Sequence, residues 1–418
     1  MIKDALILQK REVESRVKEG YIGRRVKTPG WDNDLIKVII GPRRAGKSFF
    51  AVHELSKRGN FGYANFDDEA LSEVTDYNEV IDGINEVYDT PKCLLFDEIQ
   101  NLPKWELFVN RLQRQGYDLV ITGSNSNLLS KELSTHLTGR HTLITILPLS
   151  FKEYLGDAKK FTTSEIKSRL SKYVAGGGYP EPLVKNLDYK EYLSTLFDSI
   201  VYKDIVKRFS IRSPNAIENL ARYLVSNISQ EYSYNSLARL TKCKSSRTIE
   251  KYLGYLEEAF VFFKLDRFSF KVREQVSSNK KIYCVDNGFI HAKAFNMGAN
   301  MGRLYENCVA VELKRSEYSK RAEVYFWKNV QQEEVDFVVK EGRKVTRLIQ
   351  VCYDIRDVEV KEREVRAILK AAKELKCKNL VVITGDYEAE KDEGWFGIKG
   401  RIRYVPLWKW LLENGMEG

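Results

Sequence analysis

The sequence is poor in the residues that build metal or disulfide frameworks. Its 418 residues hold six cysteines, at 93, 243, 284, 308, 352 and 377, and no two of them form a C-x-x-C pair. Most lie in apolar runs and read as small core residues of a reducing compartment, which excludes a zinc frame and a disulfide scaffold. Only four histidines and four methionines accompany many lysines and glutamates, a thermophile-like balance. No apolar run approaches the length of a membrane span, and Met1-Ile-Lys-Asp-Ala-Leu opens no hydrophobic leader. The expected location is cytoplasmic, with no membrane partner.

What is present is ordinary for a globular chain: 43% hydrophobic and 30% charged residues. The length points to two or three domains. The net charge of +10 is unevenly placed. Residues 1–150 carry 20 Lys and Arg against 21 Asp and Glu, whereas residues 201–300 carry 17 against 9. A basic excess confined to one middle segment fits a polyanionic partner such as nucleic acid; a solvated basic face is the other reading.

The stretch Gly41-Pro42-Arg43-Arg44-Ala45-Gly46-Lys47-Ser48 follows the apolar run Leu35–Ile40 and precedes a helical pattern beginning at Ser48-Phe49. G-x-x-x-x-G-K-S between a strand and a helix is a phosphate-binding loop. Backbone N–H groups of the turn and the helix N-terminus form an anion cradle, Lys47 reaches the β- and γ-phosphates, and the Ser48 hydroxyl ligates Mg²⁺.

Further strands are expected at 61–66, 93–98, 119–125 and 143–147, with helices at 2–18, 76–88 and 105–114 between them. Continuous apolar strands alternating with helices predict an α/β fold with a parallel sheet covered on both faces. Asp97 and Glu98 then fall at the C-terminal edge of the sheet, where such sheets bind ligands. Asp97 is expected to hold the Mg²⁺ shell and Glu98 to orient or deprotonate the attacking water. The tip Thr122-Gly-Ser-Asn125 places a γ-phosphate sensor, assigned to Asn125 with Ser124 as the alternative. No Asn-Lys-x-Asp guanine signature stands downstream.

The phosphate loop, Phe96-Asp-Glu-Ile-Gln100, Thr122-Gly-Ser-Asn125, Leu137-Thr-Gly-Arg140 and Pro148-Leu-Ser-Phe-Lys-Glu-Tyr154 together resemble the AAA-type ATPases of archaea and bacteria. They most resemble the subgroup with a C-terminal nuclease-like domain. The resemblance runs through nearly the whole chain. It implies ATP and Mg²⁺ as cofactors and a helical lid after the core. It also implies an arginine finger, matched by Arg140, that reaches a neighbouring copy's γ-phosphate and so a homo-oligomer. A surface arginine capping a turn is the other reading of Arg140.

Four domains are expected: 1–150 as the P-loop core, 151–210 as the lid, 211–275 as a winged helix, and 276–418 as a nuclease-like α/β unit. Gly176-Gly177-Gly178-Tyr179-Pro180 cannot be helix interior and breaks the lid at a fixed turn. In the third segment a short helix from 235, a turn at 243–246 and a helix at 247–256 lead into Phe260–Phe268, read as the strands of a wing. Lys242, Lys244 and Arg247 would meet a DNA backbone, or the unit serves only as a packing module.

The last segment resembles the PD-(D/E)xK nuclease fold, with Glu306, Asp336 and Gln350 at the metal-binding places. Cys352 stands where that fold has its lysine, and it cannot supply a positive charge. A degenerate, non-cleaving domain is therefore expected. The leading function is an ATPase that couples nucleotide turnover to DNA binding or remodelling. A nucleotide-controlled switch for a protein partner and an ATP-linked DNA nuclease are the alternatives.

Overall fold

The computed structural model describes residues 2–26, 28, 31, 33–124, 139–243, 245–295, 301–319 and 322–414. Asn125 and Lys244 lie outside the described residues.

The N-terminal part is built on five parallel strands: β1 (Ile36–Ile40), β2 (Phe61–Asn65), β3 (Cys93–Asp97), β4 (Asp118–Gly123) and β5 (His141–Thr145), in the order β2-β3-β4-β1-β5. Every residue of β1 is buried, as a strand covered on both faces requires. Even Lys37 is buried, its ammonium 2.6 Å from Asp118 on the neighbouring strand. The helices α1 (Ile2–Lys18), α2 (Lys47–Ser56), α3 (Tyr77–Tyr88) and α4 (Trp105–Arg114) cover the sheet. The edge strand β2 is closed by α1: buried Gln9 donates to the Asn65 carbonyl at 3.2 Å and accepts from the Asn65 N–H at 2.9 Å. This satisfies backbone groups that would otherwise invite another strand.

The helices α5 (Thr163–Gly176) and α6 (Tyr189–Ser199) come next, and the chain then winds as a π-helix over Ile200–Lys207. The three-glycine turn is packed rather than loose. A side chain at Gly177 would fall 1.8 Å from an Asp286 oxygen, and the same carboxylate accepts the Gly178 N–H at 2.7 Å.

Beyond the π-helix lie α7 (Pro214–Ser226), β6 (Glu231–Tyr232), α8 (Tyr234–Leu240), α9 (Ser246–Glu258), β7 (Phe262–Leu265) and β8 (Lys280–Cys284), with an antiparallel sheet in the order β6-β8-β7. The sequence places both strands of the hairpin within 260–268. The structure corrects this: one strand lies there, and its partner is β8, beyond residue 275. The connection carries its own short helix, Val272–Ser277. The paired lysines at 280 and 281 give β8 the look of solvated basic sequence.

After α10 (Asn287–Lys293) and α11 (Met301–Tyr318), a six-stranded mixed sheet forms from β9 (Glu323–Lys328), β10 (Glu334–Glu341), β11 (Lys344–Cys352), β12 (Leu380–Thr384), β13 (Ala389–Trp395) and β14 (Ile398–Pro406). Its order is β13-β14-β12-β11-β10-β9. One face packs on α12 (Val358–Leu375). The other packs on α11, on α13 (Leu407–Asn414) and on residues of α5, β7 and β8. The middle of the chain thus contributes to both large cores, and α5 belongs with the C-terminal sheet. No helix among the described residues is long and apolar enough to cross a membrane.

Candidate functional site

The phosphate loop turns directly off the end of β1, and its shape depends on two glycines. Gly41 has φ 148°, and a Cβ there would fall 1.8 Å from the Ile146 carbonyl oxygen. Gly46 has φ 92° and opens α2 in the left-handed region, which glycine occupies without steric cost. Lys47 is buried, with its ammonium 3.1 Å from the Pro42 carbonyl and 3.9 Å from Glu98. Burial pushes its pKa down, against the pull of Glu98 and Asp97.

Asp97, at the tip of β3, is the hub of the opposite wall. Its carboxylate accepts from the Ser48 hydroxyl at 2.8 Å, from the Tyr63 hydroxyl at 3.0 Å, and from the Thr122 hydroxyl. Burial, with Glu98 adding to it, raises its pKa against these hydrogen bonds. Thr122 also accepts the Glu98 N–H at 3.1 Å, so one side chain orients both acids. Glu98 itself sits at φ 51°, a left-handed conformation costly for a residue with a side chain. Strain of this kind concentrates at functional sites. Gln100 donates to the Glu98 carboxylate.

Sequence reading missed the brace behind the loop. The side chain of Arg24, in the basic stretch between α1 and β1, is buried. It donates to the Ala45 carbonyl inside the phosphate loop, to the Leu147 carbonyl at 2.6 Å and to Glu153 at 3.3 Å. Glu153 is held in turn by the N–H groups of Arg25 and Ser150, at 2.7 and 2.8 Å. Burial alone would raise the Glu153 pKa, but Arg24 and Arg315 outweigh it and hold it below the usual range. The Pro148–Tyr154 block therefore caps a short helix and positions Arg24. The signal available in the sequence was the pair Arg24-Arg25 beside a Ser-x-x-Glu capping pattern.

These groups surround a cleft of about 510 Å³, within the range of small-ligand sites. The N-terminal connector (Gly20, Tyr21, Ile22) and the far side of the glycine turn (Pro180, Glu181, Val184) complete its rim. The residues present fit a Mg²⁺–nucleotide. The Ser48 and Asp97 oxygens are hard donors held 2.8 Å apart, beside a buried ammonium and a turn too tight for side chains.

One assigned residue, Arg140, is not part of this arrangement. Arg140 is exposed at the start of β5, where its carbonyl accepts the Ile36 N–H at 3.0 Å. It therefore sits at the end of the sheet opposite the phosphate loop and does not reach its own chain's cleft. Asn125 lies outside the described residues; Ser124 is buried at the strand tip.

In the C-terminal unit Glu306 and Asp336 do come together, but on an ammonium. Lys281, from β8, places its Nζ 3.0 Å from Glu306, 3.2 Å from Asp336 and 2.5 Å from Glu334. It is only 2% exposed. Burial would lower its pKa, yet these carboxylates and Tyr283 hold it well above the ordinary lysine value. Gln350 is also engaged internally: its carbonyl accepts the Asp336 N–H at 3.1 Å and its amide donates to Glu364 at 2.6 Å. Among the described residues no group of three or more His, Cys, Asp or Glu side chains is arranged to hold a metal. Glu306 and Asp336, the two acids assigned to a metal, are thus both ion-paired with Lys281 of β8, a strand that the sequence reading did not place there.

Residues 33–155 match the model of an AAA domain, and residues 167–299 and 301–409 match two domains of unknown function. An uncharacterized protein of Methanocaldococcus jannaschii is 37% identical over 400 residues, covering 90% of this chain and 88% of its own length. Another, from Haemophilus influenzae, is 31% identical over 413 residues, covering 95% and 98%. Among solved structures, the Walker-type ATPase of Pyrococcus abyssi aligns over 68% of this chain and 95% of its own, at TM-score 0.43 and 14% identity. AMPPCP-bound DnaA from Aquifex aeolicus aligns over 60% and 87%, at 0.24 and 17%.

Proposed function

The chain belongs to one family with these archaeal and bacterial relatives, a family whose N-terminal part is an AAA domain, and on that premise we propose that it is a Mg²⁺-dependent ATPase coupling ATP binding and hydrolysis to DNA binding or remodelling. The observation that carries the reading is the meeting of Ser48 and Asp97 at 2.8 Å beside buried Lys47, with Glu98 3.9 Å from its ammonium. Ser48 and Asp97 would hold Mg²⁺, which when bound supplies charge neutralisation on the phosphates. Residues 41–49 would cradle the polyphosphate, with Lys47 placing a positive charge against it. Glu98, set by the Thr122 hydroxyl, would orient the attacking water and take its proton. Arg140 would serve only a neighbouring copy, which makes its role a matter of assembly.

Nucleic acid is assigned to the middle unit. Its order of helix, short strand, two helices and two paired strands supports reading this unit as a winged helix. Lys242 and Arg247 are exposed at the turn and first turn of α9, whose N-terminus is capped by Ser245. With Lys281 set between Glu306, Glu334 and Asp336, the C-terminal sheet is read as non-cleaving. ATP turnover measured with and without duplex and branched DNA tests the proposal. Stimulation that is lost in K242A/R247A, with a flatter salt dependence of binding, is the expected result. Turnover indifferent to DNA in the native protein removes the DNA part.

A further inference from the structure

The π-helical segment Ile200–Lys207 touches two places that the fold otherwise keeps apart. In the middle of the segment, Asp204 lies 3.2 Å from Arg43, the third residue of the phosphate loop. Arg43 also faces Asp67 at 3.9 Å. Burial raises the Asp204 pKa, with Glu98 adding to the effect and Arg43 and Lys47 opposing it, so this carboxylate shares the field of the loop's own cations. Just past its C-terminal end, Phe209 stacks on Tyr255 of α9 with ring centroids 3.7 Å apart and planes within 11°. Arg247 stands two turns earlier on that same helix. One short element thus links the nucleotide cleft to the basic helix.

We propose that Asp204 is a positioning residue of the nucleotide site, holding Arg43 through their ion pair, and that residues 200–209 convey the state of that site to α9. The inference rests on the ATP-site reading above and adds to it a mode of regulation. A bound polyphosphate brings negative charge to the pocket and competes with Asp204 for Arg43. Losing that partner removes an anchor of the π-helix. π-helical turns are rare and frequent at functional sites, and the one-residue shift of register that a change to α-helix requires would rotate the residues C-terminal to it by about 100°. Phe209 is among those residues, and its ring moves with Tyr255. The result is a two-state element that both sites bias, the physical requirement for coupling.

Equilibrium titration of the full chain with a fluorescent ATP analogue, with and without saturating duplex DNA, tests this. Asp204→Asn keeps the side-chain size but removes the competing charge, and is expected to bind the analogue about fivefold more tightly, the weight of a partly exposed ion pair. Asp204→Glu should restore native affinity. Asp204→Ser provides the same charge removal if the amide variant does not fold. Phe209→Ala, remote from the cleft, should bind the analogue as the native protein does but lose the shift in affinity that DNA produces. Equal or weaker binding by both charge-removing variants overturns the role of Asp204 while leaving the nucleotide site standing. A DNA response preserved in Phe209→Ala, or absent from the native protein, overturns the coupling. A native protein that binds no analogue overturns this inference together with the reading beneath it.

Discussion

The ammonium of Lys281 lies 3.0 Å from the carboxylate of Glu306, and the two come from different parts of the chain: β8 of the middle unit and α11 of the C-terminal one. With Glu334 and Asp336 they form a buried charge centre in which carboxylates outnumber cations. Such a centre is costly to break from one side, because the remaining charges stay buried and unpaired. Lys281→Met should therefore lower unfolding free energy by about 3–5 kcal/mol in denaturant titrations. Adding Glu306→Gln and Asp336→Asn to that variant should recover part of the loss. A Lys281→Met protein as stable as the native one would show that the centre contributes nothing.

A second charge responds differently to pH. Glu312 is buried on α11, and burial, opposed by Arg315, pushes its pKa up to about 7. The folded state keeps a proton that the unfolded chain releases near pH 4.5, so stability is lost as pH rises from there through about 7. Glu312→Gln stays neutral throughout and should flatten the fall in Tm between pH 5 and 8, a difference on the order of 1–3 kcal/mol. Identical slopes in the two proteins would place the pH dependence elsewhere.

How much of this was legible in the sequence differs between the two halves. The phosphate loop, Asp97 and Glu98 are local patterns on strand ends, and each stands where its spacing put it. The helix at 2–18 shows in its amphipathic pattern and most β-strands of the first sheet in their apolar runs, signals that survive without tertiary knowledge. The features that escaped depend on contacts between distant residues. Arg24 reads as one more basic residue until Glu153, 129 positions later, is brought to it. Lys281 reads as part of a DNA-binding excess until three acids surround it. Thr122 sits in the tip that pointed to Asn125, but its role depends on the neighbouring strand.

Arg24 offers a test of the brace. Its side chain and that of Glu153 are both only 3% exposed, so Arg24→Met strands a buried acid. The expected cost is about 3–5 kcal/mol of stability. A weakened grip on nucleotide should accompany it, because the Ala45 carbonyl loses its support. Unaltered Tm and nucleotide affinity would contradict the brace.

Gly41 tests the shape of the loop. A methyl group there would meet the Ile146 carbonyl oxygen at 1.8 Å, so the loop must move away from β5. Gly41→Ala should cost about 1–3 kcal/mol through overpacking and reduce nucleotide affinity about tenfold or more, measured by calorimetry. Native affinity in this variant would mean that the loop has room the structure denies it.

Single-turnover and steady-state ATP hydrolysis by the native chain, Lys47→Ala and Glu98→Gln, each in the presence of Mg²⁺, tests the central claim most directly. Turnover is expected from the native protein and none from Lys47→Ala. Glu98→Gln should bind ATP as tightly as the native protein but hold it unhydrolysed, slowed about 10²-fold or more as loss of a general base requires. No turnover by the native protein would contradict the ATPase assignment, and full turnover by Glu98→Gln or by Lys47→Ala would contradict the role given to that residue.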